Sequence, residues 1–340
     1  MKLVPTAANP EPAGAVVGRI VARDGAPLRV ARWPARSARP RGTVAIFQGR
    51  AEFIEKYFET IEDLLARGFC VVAFDWRGQG GSERMLADPR KGHVGRFGLY
   101  ARDVEAIAAQ VLARDCPRPH AVLAHSMGAA IALDLARRGR LPAERIVALA
   151  PMIALAPVRR PRLAHAGATL FWLMGLGGSF VPGGGETSMA TKPFAENLLT
   201  SDRLRYARNA DAAAALKDGA IGDPTIAWAR GAFALMCRLQ EPRAALEIRI
   251  PTLVLAAGAD RLVSTPAVER FAARLKTGNA IVVPGARHEL LTEVDAIRAP
   301  VMAAIDAFLP GGEGAGTEDA SAATPVAAQR PAVAQTAPTA

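Results

Sequence analysis

Cysteine is scarce in this chain of 340 residues. Cys70, Cys116 and Cys237 are odd in number and show neither disulfide-framework nor metal-ligand spacing. A disulfide-stapled secreted scaffold and a zinc ribbon are thereby excluded, and a reducing compartment is expected. Long apolar runs are missing too. The longest uncharged stretch, residues 166–181, is short for a membrane span and interrupted by glycines, so it predicts a lid helix, a membrane-surface patch or a plain buried helix. At the N-terminus Pro5 cuts off Leu3 and Val4, leaving no apolar core for a signal peptide. The expectation is a cytoplasmic protein, with peripheral contact at the inner face of an anionic membrane left open.

Nor is basic charge concentrated. The net charge of +10 comes from arginines dispersed along the whole length, which is not the basic stripe of a nucleic-acid-binding protein, and no nucleic-acid partner is expected. Only Arg159, Arg160 and Arg162 stand together, and they read as a solvated face or a point of attraction for anionic headgroups. Apolar residues, by contrast, make up half of the sequence, enough for a sizeable buried core in a globular enzyme.

Short β-rich runs alternate with helix-length segments. TVAIFQ at 43–48, FCVVAFD at 69–75, AVLA at 121–124, RIVALA at 145–150, TLVLAA at 252–257 and AIVV at 280–283 are nearly continuously apolar. That is the pattern of parallel strands covered on both faces by helices. Residues 15–33 alternate instead, as an antiparallel hairpin turned at Asp24-Gly25 does. The strand rhythm stops after Pro151 and resumes near Ile250, which predicts an inserted helical cap at 151–249 between core segments 15–150 and 250–310. Residues 1–14, rich in Pro and Ala, are expected to be flexible. Residues 311–340 hold too little apolar surface to offset ordering entropy, and a disordered tail is expected there. The fold class that follows is α/β, with a mostly parallel central sheet.

Residues 121–130 read AVLAHSMGAA, a buried strand running into His125-Ser126-Met127-Gly128 and then a helix. This is a nucleophile elbow, in which a tight strand-to-helix turn exposes a serine hydroxyl and needs small residues two before and two after it, here Ala124 and Gly128. A bare S-x-G is common by chance, but the strand before and the helix after give it the required context. A serine hydroxyl needs a base. Of the five histidines, His93 precedes the nucleophile, His120 precedes its strand, His125 is its neighbour and points away, and His165 lies in the expected cap. His288 alone follows the last predicted strand, so it is the expected general base. The acid belongs between serine and histidine at a strand end, where Asp260 follows TLVLAAGA; Asp202, Asp211 and Asp223 satisfy the order but lie in the cap. For the oxyanion, the expected donors are the N–H of Met127 and the N–H of Arg50 in the loop after TVAIFQ, with the Arg50 side chain solvated. No metal and no cofactor are expected. Gly78 and Gly80 complete no dinucleotide fingerprint and read as turn glycines.

With these residues placed, the chain resembles, from about Val44 to Leu309, the lysophospholipase L2 and monoacylglycerol lipase branch of the α/β-hydrolases, often grouped with the S33 aminopeptidases. The likeness is carried by QGRAEFIEKY at 48–57, FDWRGQGGSER at 74–84, GHVGRFGLYARDV at 92–104, NLLTSDRLRYARN at 197–209 and GDPTIAWAR at 222–230. Relatives carry G-H-S-M-G at the elbow, so Ala124 is a departure. The resemblance implies an α/β-hydrolase fold and a serine hydrolase acting on esters of monoacyl lipids through an acyl-enzyme.

Peptide or amide hydrolysis of the S33 type is the alternative, because both reactions pass through an acyl-enzyme. A non-catalytic binding protein on this fold is a third reading, but no triad residue is missing. A serine nucleophile argues against dehalogenases and epoxide hydrolases, which use a carboxylate. Headgroup, acyl length and oligomeric state are not legible.

Overall fold

The computed structural model describes residues 2–310, so the expected tail at 311–340 lies outside the described residues. Eight strands form one sheet: β1 (Val16–Val21), β2 (Pro27–Trp33), β3 (Thr43–Phe47), β4 (Cys70–Phe74), β5 (His120–His125), β6 (Arg145–Leu149), β7 (Thr252–Ala257) and β8 (Gly278–Val283). Their spatial order is β1-β2-β4-β3-β5-β6-β7-β8. β1 and β2 pair antiparallel, β2 meets β4 antiparallel, and every other pairing is parallel. Each predicted run becomes a strand within two residues of its expected ends.

The near-continuous apolar strands β3 to β7 are buried on both faces because helices cover both, whereas β8, expected to be buried likewise, lies at the sheet edge and exposes Ile281 and Val282. Ala45, Phe47, Val72 and Phe74 point to one side, with α2 (Gly98–Ile107), which runs through a π-turn into α3 (Ala113–Asp115), and with α4 (Ser126–Arg137). Val44, Ile46, Val71 and Ala73 point to the other, against α1 (Phe58–Ala66) and the last helix of the chain. Period-two alternation decides which side chain goes where, and each fully buried Val, Leu, Ile or Phe contributes about 1.5–3 kcal/mol.

Between β6 and β7 lie α5 (Pro161–Leu173), α6 (Arg203–Ala215) and α7 (Ile226–Leu239); α8 (Thr265–Ala272) and α9 (Asp295–Phe308) follow later strands. α7 departs from the expected cap boundary at 249. Its Trp228, Ala232, Met236 and Leu239 belong to the same apolar cluster as α4, so this helix is part of the core layer. α5 packs along α7 yet buries no residue of its own. Leu163, Leu170 and Leu173 are at least half exposed, which rules out the plain buried helix. No helix among the described residues is long and apolar enough to cross a membrane.

The flexible start is not what the structure shows. Leu3 is buried, the Val4 N–H donates to Glu55 Oε1 at 3.0 Å, Asn9 Nδ2 donates to the Glu55 carbonyl at 2.8 Å, and Trp33 Nε1 donates to the Pro12 carbonyl at 2.9 Å. Little apolar area is needed when backbone groups of the segment are satisfied by the core.

Candidate active site

From β3 the chain steps to β4 on one side and later to β5 on the other, so a crevice opens at the carboxyl ends of β3 and β5. β5 delivers Ser126 there with φ of 49°, a left-handed backbone that residues with a side chain rarely adopt. Packing holds the strain. A Cβ at Gly128 would lie 2.3 Å from the Phe47 carbonyl oxygen and 2.5 Å from that of Gln48, so only glycine lets α4 sit against the end of β3. Ala124 is fully buried in the larger apolar cluster, and its methyl fills the core without blocking the turn. On the far side the Met152 N–H donates to the Ser126 carbonyl at 3.1 Å.

His288 Nε2 lies 3.0 Å from Ser126 Oγ, and its Nδ1 lies 2.7 Å from Asp260 Oδ2. The other Asp260 oxygen accepts from the Leu262 and Val263 N–H groups at 2.8 and 2.9 Å. Burial pushes the Asp260 carboxyl up, but the His288 ring and those two N–H groups outweigh it and leave it below its ordinary value. A carboxylate held this way keeps the proton on Nδ1 and leaves the Nε2 lone pair facing the serine hydroxyl. The competing residues are elsewhere: Asp202 caps α6, Asp223 accepts from the Gly185 N–H, and His93 and His120 bond Thr225 Oγ1 and the Cys116 carbonyl.

The Met127 N–H sits in the first turn of α4 and has no intrahelical acceptor. Arg50 N–H likewise has no acceptor among the described residues. Its loop is clamped from the β4 side: Gln79 Nε2 donates to the Gly49 and Glu52 carbonyls at 2.9 and 2.8 Å, and its Oε1 accepts from the Ala51 N–H at 3.2 Å. Gly80 is indeed a turn glycine, since a Cβ there would lie 2.1 Å from Asp75 Cγ. The Arg50 side chain is not solvated as expected. It donates to the Gly222 carbonyl at 2.6 Å and lies over the Trp228 ring, tying the loop to the segment before α7.

Residues 38–295 match the serine aminopeptidase S33 family. Lysophospholipase L2 of Escherichia coli (strain K12) is 35% identical over 296 residues, which is 84% of each chain. The chain belongs to the S33 family. A probable lysophospholipase L2 of Haemophilus influenzae is 30% identical over 79% of this chain and 84% of its own. A soluble variant of monoglyceride lipase from Saccharomyces cerevisiae shares the fold, with a TM-score of 0.67 at 18% identity over 86% of this chain and 96% of that one.

In this S33 hydrolase the family-like segment at 197–209 is docked on the loop that carries His288. The Glu289 N–H donates to the Leu199 carbonyl at 2.8 Å, Arg287 Nη1 reaches the Asn197 and Thr200 carbonyls, and Arg205 bridges Glu59 and Asp295. Between α5 and α7 lies an apolar cavity of about 410 Å³, lined by residues that include Leu155, Phe171, Val181, Trp228 and Phe233. Leu155 pairs with Val263, whose N–H holds Asp260, and it follows Met152, whose N–H holds Ser126, so the cavity's edge is built onto the triad loops.

Reading the sequence alone missed the charges behind the site. Glu52, Lys56 and Glu289 are buried and paired, with Lys56 Nζ 2.8 Å from Glu52 Oε1 and 2.5 Å from Glu289 Oε1. Burial opposes the charged forms, but their partners hold Glu52 well below and Lys56 above their ordinary values. Glu52 and Lys56 stand at i, i+4, a spacing just as usual on a solvated face, so nothing local marked them as buried.

Proposed function

We propose that this protein hydrolyses carboxylic esters of single-chain lipids, lysophospholipids or monoacylglycerols, at the surface of an anionic membrane. Ser126 Oγ attacks the ester carbonyl while His288 Nε2 takes its proton, and Asp260 steadies the imidazolium that forms. The oxyanion is received by the N–H groups of Met127 and Arg50. His288 then returns the proton to the departing alcohol, and water, activated by the same nitrogen, releases the fatty acid from Ser126.

The observation that carries the substrate class is the apolar cavity built onto the triad loops. None of its lining residues is acidic, so it offers no partner to the free amine of an aminopeptidase substrate and suits an alkyl chain at about 0.8 kcal/mol per methylene. Membrane contact is supported by α5 and the turn after it, where Leu170, Phe171, Trp172, Leu173 and Met174 are exposed and Arg159, Arg160 and Arg162 flank the helix start. The names of the curated relatives agree with this reading.

A panel of lysophosphatidylethanolamine, monoacylglycerols of rising length, a triacylglycerol and proline amides tests it. We expect kcat/KM to rise with acyl length on the monoacyl esters. Fastest cleavage of the amides would sink the lipid assignment. Co-sedimentation with vesicles of phosphatidylglycerol should exceed that with phosphatidylcholine alone, and equal sedimentation would remove the anionic surface from the proposal.

A further inference from the structure

A second cluster of ionisable side chains is buried directly behind His288 and takes no part in the acyl transfer. It comprises Glu52, Lys56, Tyr57, His125 and Glu289, each at most 9% exposed. Glu52 Oε2 accepts from the Gly49 N–H and from Tyr57 Oη at 2.6 Å, while Oε1 accepts from Lys56 Nζ at 2.8 Å. His125 fills the remaining side. Its Nδ1 is 2.9 Å from Glu52 Oε1 and its Nε2 is 3.2 Å from the His288 carbonyl oxygen.

Both groups that face the His125 ring can only accept. A carbonyl carries no proton, and Glu52, which accepts from Gly49, Lys56 and Tyr57 and is held well below the ordinary carboxyl value by the charges beside it, stays a carboxylate. Neutral imidazole donates from one nitrogen, so two acceptors at hydrogen-bonding distance require both nitrogens to be protonated. Charge balance agrees: with His125 cationic, two carboxylates face two cations, the condition under which buried charge is tolerated. Burial alone lowers the ring's pKa, and the Glu52 carboxylate beside it more than reverses that.

We propose that His125 is a standing imidazolium, a positioning residue that holds the His288 carbonyl and with it the loop that presents the His288 ring to Ser126. This rests on the serine-hydrolase reading above. The two ring centroids are 4.8 Å apart, so the placement of the His125 ring bears directly on that of His288. The groups facing His125 are Glu52, Lys56 and Tyr57 from the segment after β3, and His288 and Glu289 from the loop after β8. A Cβ at Gly49 would lie 2.9 Å from both Glu52 Oε2 and His125 Nδ1, so the same cluster also sets the path of the oxyanion loop.

The first test is the rate of fluorophosphonate labelling of the full chain, which reads the placement of His288 against Ser126 without any lipid. H125Q cannot bridge Glu52 and the His288 carbonyl, so the His288 loop loosens and the labelling rate at neutral pH should fall by about tenfold. In parallel, NMR of the 15N-histidine wild type should show a doubly protonated imidazole at neutral pH whose signal is lost in H125Q. An unchanged labelling rate in folded H125Q, or a neutral His125 tautomer in the wild type, overturns the proposal. If H125Q does not fold, the wild-type spectrum decides, its signal assigned through E52Q, in which His125 should titrate at lower pH. A wild type that never labels would overturn the hydrolase reading and this proposal with it. Neither readout uses a lipid, so a failed substrate panel is distinguishable from both.

Discussion

The wall formed by the loops after β3 and β4 holds its charges buried and paired, whereas the wall formed by α5 has no buried residue at all. On the first wall Arg29 bridges Asp75 at 2.6 Å and Glu55 at 2.7 Å, Asp75 Oδ1 accepts from the Ile54 N–H at 3.0 Å, and Gln79 clamps three backbone groups. Removing one partner of such a pair strands the other, a loss of about 3–5 kcal/mol, so the loop has a single arrangement. On the second wall, side chains such as Leu173 and Met174 meet solvent and can repack at little expense. On the proposed function, precision is placed where the bond would break, and tolerance where the acyl chain would lie.

That contrast can be broken or sharpened by substitution. The largest effect is expected for S126A: a fall in kcat of about 10⁶ with an unchanged melting temperature, measured by ester turnover and calorimetry. Activity near wild type would remove Ser126 from the chemistry. D260N should keep the geometry but favour the wrong His288 tautomer, at about 10⁴ in kcat; a loss under tenfold would point to a different acid. G128A drives a methyl into the Phe47 and Gln48 carbonyls and should destabilise the protein by roughly 3 kcal/mol in urea unfolding, as overpacked cores do. A stable G128A would mean the elbow can give way after all. The smallest effect belongs to the softer wall. F171A should lower the ratio of kcat/KM for long over short acyl esters by about tenfold, since one aromatic face of the cavity is lost. An unchanged ratio would move the acyl chain out of that cavity.

Legibility followed the range of the interactions. The strands could be read because apolar runs are local, and the elbow because its residues are consecutive. Ser126, His288 and Asp260 were found by their addresses at strand ends, and the structure places them in one hydrogen-bonded row. The buried charges were not legible, because Glu52, Lys56 and Glu289 carry the letters of a solvated surface and their partner lies 233 positions away. The same holds for Arg50, whose carbonyl acceptor at Gly222 is 172 positions distant. α7 fell within the expected cap because no strand interrupts residues 151–249, and the absence of strands does not say which helix there packs on the core. Val4, Asn9 and Pro12 sat in a Pro- and Ala-rich composition that hid their bonds to Glu55 after β3 and to Trp33 of β2.

The sequence distances in the active site also bear on when activity can first appear. Ser126 meets His288 across 162 positions, and Lys56 closes on Glu289 across 233. Closures of that length are late events, because the loop entropy must be lost before the contact can reward it. During synthesis the serine therefore emerges and enters its strand-to-helix turn well before any base exists to activate it. Hydrolytic competence coincides with completion of the core, and a truncated or misfolded copy is catalytically silent instead of being a leaky esterase loose among the cell's lipids.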